Sequence, residues 1–593
     1  MSFCRTVLLL MLVETAYIAQ TPPASVEGTV VELGTNTPLS KATLDLRSVT
    51  DTAVRYPAVT SDNGRFVIRN IPPGQYTVSA SRTGYVRSQY GQRGPNGNAA
   101  ILTVEPGKSF SGVRISMMPS AAISGRVSDR EGAAVANAQM HAWRVSYKDG
   151  QRVLIPVVSQ ITNDLGEYRL FGLPAGQYYV SAQPEPPSYL RSPVYASLAP
   201  PAAGAVVIST SAGLLGGIRD PATAMRSSGE YAPVYFGGAD EFSATPIDVR
   251  AGSDVGGIDI LVDRRPLSPM MGVVNGPAGQ PMAGATVVIT PLAANLGFTT
   301  INALSVLGGV LSVVPGMPAR TDGNGRFNMT PKPPGSYLLT AIVDQQGRRL
   351  AGQMAVDIRG TDRPNVTIVV APSPELQGRI MFDGPAGDPS RLTVRLTSTV
   401  TAIVDAPPAT PSASGSFTIR NLAPGNYVLS VTPLSSVMGA NPGSVPADLA
   451  GAYVKSARMG NIDLLSEGLR IDRLDVPPDR PIEIVIAWNS AQISGVVAAE
   501  SREILPNVQV VLLPDESRRN RLDLYRATST DGSGRYRFER VPPGRYKVVA
   551  WEDVETNSWY NPAFMRLYED RGRPVSVAEG TQATQDLTAI PPR

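Results

Sequence analysis

The sequence has 593 residues, among them 56 glycines and 53 prolines, and its charged residues make up 17% of the chain with a formal net charge of +3. This length suggests about four or five domains, and prolines spread along the whole chain would interrupt long helices. Because the net charge is small and no block of Lys and Arg alternates with aromatic residues, nucleic acid is not an expected partner.

The N-terminal residues 1–20 have the pattern of a secretory signal peptide. Arg5 precedes a short apolar run from Val7 to Val13, and small residues follow before Pro22. A buried strand is the alternative. The only cysteine, Cys4, lies before the apolar run, where it is misplaced for a lipoprotein anchor. The pattern therefore predicts a protein that is secreted, periplasmic or on the outer cell surface, with no disulfide in the mature chain.

One 17-residue pattern occurs five times along the chain. In each copy an aromatic residue stands two positions after a glycine, and a second glycine stands ten positions after the first. Such a constant spacing indicates an internal repeat. The five copies are Gly64–Ala80, Gly166–Ala182, Gly325–Ala341, Gly415–Val431 and Gly534–Ala550.

The last copy shows which structure the repeat encodes. Tyr536 and Phe538 alternate with charged residues, as in a strand with one buried face, and a second alternating run follows Gly544. Pro542 and Pro543 precede that glycine and predict a turn. Another turn cluster of Thr, Asp and Gly residues precedes Gly534. Turn, strand, turn, strand is typical of an antiparallel β-domain.

Each copy lies within a longer unit. A short strand opens every unit, and a closing hairpin is expected in the first, second and last, which gives about seven strands per unit. The sequence therefore predicts an all-β chain of five tandem Ig-like or transthyretin-like β-sandwich domains. The predicted bounds, after the signal peptide, are 24–119, 120–267 with an apolar insertion, 268–373 with a second insertion, 374–490 for a divergent unit, and 491–593.

The two insertions contain no charged residues. They span Ser192–Ile218 and Ile289–Ala319. A transmembrane helix in the second would place the halves of one sandwich on opposite sides of a membrane, and its prolines and glycines disfavour a helix. An apolar loop that folds over a sheet edge is the favoured interpretation. A surface that touches lipid or a partner is the alternative.

The motif as a whole resembles the carboxypeptidase regulatory-like domain, a transthyretin-like sandwich related to collagen-adhesin B repeats and grouped with carbohydrate-binding-like folds. Units one and five carry the most complete versions, for example Asp62-Asn63-Gly64-Arg65-Phe66 followed by Pro72-Pro73-Gly74-Gln75-Tyr76. Unit four has Ala423-Pro424-Gly425 at the turn, and unit three has Pro331-Lys332 where a hydrophobic residue is usual. The resemblance implies a secreted bacterial multidomain protein. It identifies a fold, and a fold does not define a function.

No cofactor or metal is expected. The zinc site of the carboxypeptidases needs two histidines and a glutamate, whereas this chain has a single histidine, His141. Aspartate and glycine in the turn clusters are explained by turn chemistry, with weak calcium binding as the alternative. The motifs of serine hydrolases and phosphate-binding loops are also missing from the sequence.

Alignment of the second strands predicts which of their residues face the core. One position of this strand is expected to point inward in all five units, and the next position is expected to point outward. Because the outward position holds several residue types, His141 is interpreted as a surface residue rather than a catalytic base. The inward set is Leu44, Met140, Val287, Val394 and Val510, and the outward set is Asp45, His141, Val288, Arg395 and Val511.

Aromatic residues before the closing hairpins are the candidate ligand-binding residues. Flat rings with a polar group stack on sugar faces or anchor protein partners, and they also close the open ends of sandwiches. Both interpretations stay open from the sequence. The candidates are Tyr85, Tyr90, Tyr231, Tyr235, Phe236, Trp559 and Tyr560.

The sequence therefore predicts a non-catalytic secreted or cell-envelope protein that binds carbohydrate or another cell-surface polymer. A structural spacer or protein-interaction scaffold without a glycan ligand is the alternative, and an uncharacterised hydrolase is a third. The expected partner is a polysaccharide or a cell-surface protein. Contact of the apolar loops with a membrane is not favoured.

Overall fold

The computed structural model describes most of the chain beyond residue 23. The described ranges are 24–51, 53–148, 151–184, 233–238, 243–262, 268–292, 299–300, 318–332, 335–359, 365–384, 387–399, 405–433, 451–471 and 480–592. They form two compact units. The first comprises the chain up to residue 82 with 88–90 and 99–117, and the second comprises 83–87, 91–98 and everything from 118 onward. The predicted signal peptide, the first insertion and Tyr231 lie outside the described residues.

The first unit contains sandwich 1. One of its sheets has the order β4-β1-β8, and the other has the order β3-β2-β5-β6 with β7 also paired to β5. Its strands are β1 (Ala24–Glu32), β2 (Thr43–Ser48), β3 (Arg55–Val59), β4 (Arg65–Ile71), β5 (Gly74–Ser81), β6 (Ser88–Gln89), β7 (Leu102–Val104) and β8 (Ser109–Met117).

The second unit begins with sandwiches 2 and 3. The strands of sandwich 2 are β9 (Ala121–Ser128), β10 (Gln139–Lys148), β11 (Gln151–Ile161), β12 (Glu167–Leu173), β13 (Gly176–Gln183), β14 (Val234–Tyr235), β15 (Ile247–Val249), β16 (Asp254–Val255) and β17 (Ile260–Leu261). The next strands along the chain are β18 (Ser268–Asn275), β19 (Thr286–Pro291), β20 (Thr299–Thr300), β21 (Ala319–Arg320), β22 (Arg326–Lys332), β23 (Gly335–Gln345), β24 (Arg348–Ile358), β25 (Asn365–Val369) and β26 (Ala371–Pro372). All of these except β20 form sandwich 3, with sheets β22-β18-β25 and β21-β19-β23-β24-β26.

Strand β20 comes from the second uncharged insertion and pairs in parallel with β11 at the edge of sandwich 2. The described part of this insertion therefore contributes a strand to a sheet edge, in agreement with the interpretation as a loop that covers an edge. The sheets of sandwich 2 have the orders β14-β13-β10-β11-β20 and β12-β9-β16, with β15 paired to β13 and β17 paired to β9.

Sandwiches 4 and 5 complete the chain. Sandwich 4 contains β27 (Leu376–Asp383), β28 (Leu392–Ser398), β29 (Ser416–Ile419), β30 (Gly425–Pro433), β31 (Tyr453–Met459), β32 (Ile462–Asp463), β33 (Leu469–Ile471) and β34 (Ile482–Ala487). Sandwich 5 contains β35 (Ala491–Ala498), β36 (Gln509–Pro514), β37 (Arg526–Ser529), β38 (Arg535–Val541), β39 (Gly544–Trp551), β40 (Arg573–Val577), β41 (Gln582–Thr584) and β42 (Leu587–Thr588). Their sheets are β29-β27-β34-β31-β32 and β28-β30-β33, then β38-β35-β41 and β37-β36-β39-β40.

Helical segments are short. The one α-helix that the described residues contain is α1 (Pro562–Met565), and the 3-10 turns are Pro389–Arg391, Glu516–Arg518, Leu522–Leu524, Ser558–Tyr560 and Glu569–Arg571. Within the part of the chain that the structure describes, no helix has the length and apolar character needed to cross a membrane. The predicted fold class, five tandem all-β sandwiches, is confirmed.

The connections within each sandwich differ from the predicted hairpins. In sandwich 5 the turn at Pro542 and Pro543 joins β38 of one sheet to β39 of the other, and the closing turn joins β40 to β41 across the same gap. Moreover, β35 runs parallel to β41 and β42, and β1 runs parallel to β8. The prediction of closing hairpins was therefore wrong, and the predicted antiparallel domain also contains parallel pairs. Alternation of residues identifies a strand and its buried face, but it contains no information about which strand is the partner.

The repeated glycines have two separate structural reasons. The first glycine of every copy of the motif has a positive φ, from 71° at Gly325 to 84° at Gly415, which disfavours any other residue. A further glycine lies in the opening strand of every sandwich, for example Gly495 in β35. A Cβ atom at Gly495 would overlap the carbonyl oxygen of Gln585. The sheet can therefore close only around a residue without a side chain.

A buried threonine joins the turn before the motif to the second strand. In sandwich 5 the Thr530 hydroxyl donates a hydrogen bond to the Leu505 carbonyl (2.7 Å) and accepts one from the Val508 amide (2.9 Å). The same two bonds recur in sandwiches 1, 2 and 3 at Thr60, Thr162 and Thr321. Sandwich 4 has Pro411 at this position. The sequence shows a threonine four residues before the first glycine of the motif. Only the structure shows that its hydroxyl is buried and makes these two hydrogen bonds.

We expect Thr530→Val to lower the free energy of unfolding of sandwich 5 by about 2 kcal/mol, because valine keeps the branched shape but leaves a buried carbonyl and a buried amide without a partner. Hydrogen exchange of sandwich 5 amides under denaturant would measure the change. Thr528→Val on the neighbouring strand is the matched control, since the Thr528 hydroxyl makes no hydrogen bond in the described structure. Equal stability of the two variants would contradict the role assigned to Thr530.

The predicted inward residues of the second strands are all buried. Leu44, Met140, Val287, Val394 and Val510 have no exposed surface. Val511 and His141 lie on the outer face of their sheets as predicted, but the expected exposure to water was wrong. Val288 and Val511 are buried, and His141 is half-buried with its Nδ1 atom shielded. In sandwich 5 the outer sheet face is covered by residues 552–571, and in sandwich 2 a separate apolar cluster covers Trp143. Sheets covered on both faces hide the alternation on which the outward prediction depended.

Candidate functional site

The structure places Trp559 and Tyr560 in the segment that covers the outer face of sandwich 5. Trp559 is only 3% exposed and lies in an apolar cluster with Val511, Trp551 and Met565. Tyr560 packs against this cluster and stacks at a tilt on Tyr525, with 4.8 Å between ring centroids. Trp559 therefore holds the covering segment on the sheet. Its ring face is not available to a sugar in this conformation.

The candidates of sandwich 2 are also largely internal. Tyr235 is 3% exposed and lies in the apolar cluster of Trp143, Leu154 and Tyr179. Phe236 packs against the main core between the two sheets. Tyr235 and Phe236 thus both contribute to the packing of sandwich 2, one in each of its two apolar clusters.

Tyr85 and Tyr90 are half-buried and belong to different compact units. Tyr85 forms a β-bridge with Pro119. Tyr90 donates its backbone amide to the Val78 carbonyl (2.9 Å) and accepts the Ala100 amide (2.7 Å). Of the described candidates, only Trp559 and Tyr560 form a ring pair with each other, with 6.1 Å between centroids. Their role in ligand binding stays a prediction. The described rings of sandwich 2 and those of sandwich 5 lie in separate apolar clusters.

An acidic segment after β39 forms a junction that sequence reasoning missed. The Glu555 carboxylate lies 3.1 Å from the Arg144 guanidinium and accepts a hydrogen bond from Ser146 (2.9 Å). Next to this pair, the rings of Tyr147 and Phe564 meet edge to face at 5.8 Å. Sandwich 5 therefore contacts strand β10 of sandwich 2 with ionic, hydrogen-bonded and aromatic groups, although the residues are about 400 positions apart.

Residues 91–98 belong to the same junction. The Asp553 carboxylate accepts a hydrogen bond from the Asn96 amide (2.7 Å), and Arg93 pairs with Glu552 at 3.3 Å. Arg144 also donates to the Asn96 side chain (3.0 Å). A Cβ at Gly94 would approach the Asp553 carboxyl carbon within 2.5 Å, so a glycine permits the close contact. The sequence signal was the run Glu552-Asp553-Val554-Glu555, whose partners cannot be identified without the fold.

Burial dominates the electrostatics of Asp553. Desolvation raises the pKa of this carboxyl above its ordinary value, while the Asn96 amide and the Arg144 charge act in the opposite direction. A carboxylate that is partly removed from water is costly unless it is paired. The Asn96 amide and the Arg144 charge therefore offset part of the cost of burying the Asp553 carboxylate.

Sandwiches 3 and 4 meet at a second junction. Arg349 of β24 donates to the carbonyls of Asp405 (3.0 Å) and Asn421 (3.2 Å), and its backbone amide donates to the Asn421 side chain (3.0 Å). A small buried cluster of Ile342, Ala351 and Ala423 lies beside it. This contact combines apolar burial with a guanidinium that is only 12% exposed.

A groove of about 190 Å³ separates sandwich 4 from sandwich 5. It is bounded by strand β31 on one side, and by the turn between β38 and β39 with the preceding 3-10 turns on the other. Its lining combines three cations, one carboxylate and several apolar side chains: Tyr453, Val454, Lys455, Arg518, Arg521, Leu524, Pro542, Pro543 and Glu579.

Metal-binding geometry is not found in the described part of the chain, where no group of three or more His, Cys, Asp or Glu residues is placed to hold an ion. The aspartates of the turn clusters act within the turns. Asp531 accepts the amides of Ser533 (2.8 Å) and Arg535 (2.9 Å), and these bonds lower the pKa of its carboxyl. Asp322 makes the equivalent bonds.

Comparison with known families matches two segments of the chain. Residues 25–117 and 492–589 match the carboxypeptidase regulatory-like domain. These are sandwiches 1 and 5, the two units whose motifs are most complete, and the predicted resemblance is confirmed there. No curated protein matches the chain.

Solved structures give matches of low identity. The Bacillus anthracis TIE protein is 13% identical with a TM-score of 0.15, and the match covers 59% of this chain and 51% of that one. A streptococcal ancillary pilin is 10% identical with a TM-score of 0.20, covering 59% and 99%. GBS52, the minor pilin of Streptococcus agalactiae, is 12% identical with a TM-score of 0.20, covering 40% and 94%. This chain thus spans about half the length of the Bacillus anthracis protein. Matches at these identities concern the β-sandwich fold alone.

Proposed function

We propose that this chain, with its two carboxypeptidase regulatory-like domains in a row of five sandwiches, is a non-catalytic exported scaffold. Its second to fifth sandwiches would be fixed against one another so that they present a surface to a cell-surface polymer. The observation that carries the proposal is the junction of Glu555 and Asp553 with Arg144 and Asn96.

The junction favours a folded-back scaffold over an extended spacer. A spacer needs contacts only between neighbours along the chain, whereas here sandwich 5 is held against sandwich 2 by paired charges and an edge-to-face ring pair. The Arg349 junction and the groove between sandwiches 4 and 5 add contacts between neighbours. Sandwich 5 is thus held at two places, against sandwich 2 and against sandwich 4, which restricts its relative motion.

A non-catalytic role is supported by the environment of the single histidine. Burial lowers the pKa of His141 to about 4, and its Nδ1 atom is shielded from water. A general base must reach the proton that it abstracts, so this imidazole is poorly suited to the task. Turnover of a polysaccharide or peptide by the purified protein would instead favour the hydrolase alternative.

Carbohydrate is the polymer class that we propose. The supporting features are the mixed polar and apolar lining of the groove and the half-buried rings of Tyr85, Tyr90, Phe236 and Tyr560. Trp559 and Tyr235 are poor choices for binding variants because they are buried, so that their removal would destabilise the fold. A protein ligand at the cell surface is the alternative.

The junction is tested by reversing one charge. We expect Glu555→Arg to separate sandwich 5 from sandwich 2, because two guanidinium groups would then face each other in a half-buried site, and such like-charge contacts cost several kcal/mol. Spin labels on cysteines introduced at Glu131 and Glu539, both exposed, report the distance between the two sandwiches. The unaltered junction should give one narrow distance distribution and the variant a broad one.

The control for this experiment is Glu500→Arg, which reverses an exposed charge of sandwich 5 away from the junction. It should leave the distance distribution unchanged. A broad distribution in the protein with an intact junction would mean that the sandwiches move independently, and the scaffold proposal would then be rejected in favour of a flexible spacer.

A further inference from the structure

One cation in the groove between sandwiches 4 and 5 has no acidic partner. The Arg518 guanidinium donates to the Arg545 carbonyl (3.1 Å) and lies 5.5 Å from the centre of the Tyr546 ring. Within the described structure no carboxylate pairs with it. A guanidinium has five N–H donors in a planar fork, so most of its donor capacity is available to a ligand.

The backbone is adapted to hold this guanidinium. A Cβ at Gly544, the second glycine of the motif, would overlap the Arg518 side chain. At the equivalent Gly74 and Gly335 the nearest side chain is the tyrosine of the same motif, 3.4 Å away at its closest atom. In sandwich 5 the lack of a side chain at Gly544 therefore leaves space for Arg518, which comes from the preceding 3-10 turn and lies across the turn of the motif.

The remaining charges of the lining leave an excess of positive charge. Arg521 is held by Asp523 through two hydrogen bonds (2.9 and 2.7 Å). Lys455 pairs with Asp383 (2.6 Å) and also lies 3.9 Å from the Glu579 carboxylate. Neither of these two aspartates lines the groove. Three cations thus face the groove with one carboxylate, that of Glu579. Low-dielectric walls strengthen the field inside such a cleft.

The apolar part of the lining gives flat surfaces beside these charges. Pro542 and Pro543 form one wall with Leu524, and the half-buried Tyr453 ring lies on the other side. Pyranose rings have apolar faces that pack on such surfaces, while oxyanions accept hydrogen bonds from an arginine fork. The groove therefore offers both kinds of contact that an acidic sugar needs.

We propose that this groove binds a polysaccharide segment that carries oxyanions, carboxylate or phosphate, with Arg518 as the main anion contact. The inference rests on the proposed function and names the ligand class of the scaffold. Polysaccharide binding tests the groove, and the distance between the spin labels tests the junction of sandwiches 2 and 5. The two experiments are independent, so the failure of one proposal can be told from the failure of the other.

The test is titration of the mature chain with sodium polygalacturonate and with a phosphomannan, and neutral dextran is the comparison. We expect saturable binding to at least one acidic polymer and none to dextran. Arg518→Gln should weaken binding about tenfold or more, which is the usual effect of losing a charge-assisted hydrogen bond. Arg537→Gln removes the same charge from an exposed site on strand β38, outside the groove lining, and should leave the affinity unchanged. The polymer that binds identifies the anion.

A second variant gives an effect of opposite sign. Glu579→Gln removes the carboxylate from the lining and should tighten binding several-fold, because it removes repulsion of the ligand. If Arg518→Gln lowers the melting temperature, a loss of binding could result from unfolding. The Glu579→Gln variant then still tests the groove. Equal losses in Arg518→Gln and Arg537→Gln, equal binding of duplex DNA, or no binding to either acidic polymer by the folded protein would each overturn the proposal.

Discussion

Replacement of Gly495 by alanine is expected to unfold sandwich 5 or to destabilise it by more than about 4 kcal/mol, a size that single substitutions reach only through severe packing or backbone conflicts. The added Cβ would overlap the Gln585 carbonyl oxygen and crowd the Tyr536 ring. A backbone atom cannot rotate away as a side chain can, so β35 must separate from the closing strand that it pairs with. Hydrogen exchange resolved by peptide would show loss of protection in 491–592.

Gly532→Ala is the matched control. Gly532 lies in the turn cluster of the same sandwich, where a Cβ would meet no atom within 4 Å and the backbone does not have a positive φ. This substitution should change stability by less than about 0.5 kcal/mol, as is usual for exposed sites. Wild-type protection in Gly495→Ala would show that the opening and closing strands are not paired as the structure has them.

The protein is expected to lose stability on acidification through its single histidine. Burial lowers the pKa of His141 from its ordinary 6.5 to about 4. Between these two values the unfolded chain binds a proton at this imidazole and the folded protein does not, so stability falls as the pH falls through this window. The full contribution is about 3 kcal/mol, from the free energy per unit of pKa shift.

His141→Phe isolates this contribution because phenylalanine keeps a ring beside Trp143 but does not ionise. Between pH 7 and pH 4.5 the wild type should lose more unfolding free energy than the variant does. The carboxylates affect the stability of both proteins equally, so their contribution cancels in the comparison. The imidazole signals of the wild type, free of overlap from any second histidine, would give the pKa directly by NMR. An imidazole that titrates near 6.5 would show that Nδ1 is in contact with water.

Strand positions and the inner core were predictable because the repeat supplies five examples of one pattern. An alternation such as Tyr536 and Phe538 with charged residues defines a strand and its buried face locally. Strand pairing depends on contacts between residues far apart in the sequence. For this reason the turn at Pro542 was recognised correctly as a turn, but its transfer of the chain from one sheet to the other was not.

The candidate site was less predictable for a related reason. Exposed aromatics and buried aromatics look alike in a sequence, so Trp559 and Tyr235 were equally compatible with a ligand surface and with a core. The partners that decide the matter, such as Val511 for Trp559, lie on strands that were expected to face water. Likewise, the roles of Arg518 and Glu555 depend on contacts between sandwiches that form only after folding. The positions of these residues in the sequence therefore do not reveal their roles.

The parallel pairing of first and last strands determines how a sandwich responds when its two ends are pulled. In sandwich 1, β1 and β8 are registered from Ser25 with Ser109 to Glu32 with Met117, and the chain enters at one end of this ladder and leaves at the other. Force applied through the termini therefore acts along the strands and loads all of these hydrogen bonds together, instead of opening them one after another. All five sandwiches pair their first strand in parallel with a closing strand, so every unit resists extension in this way.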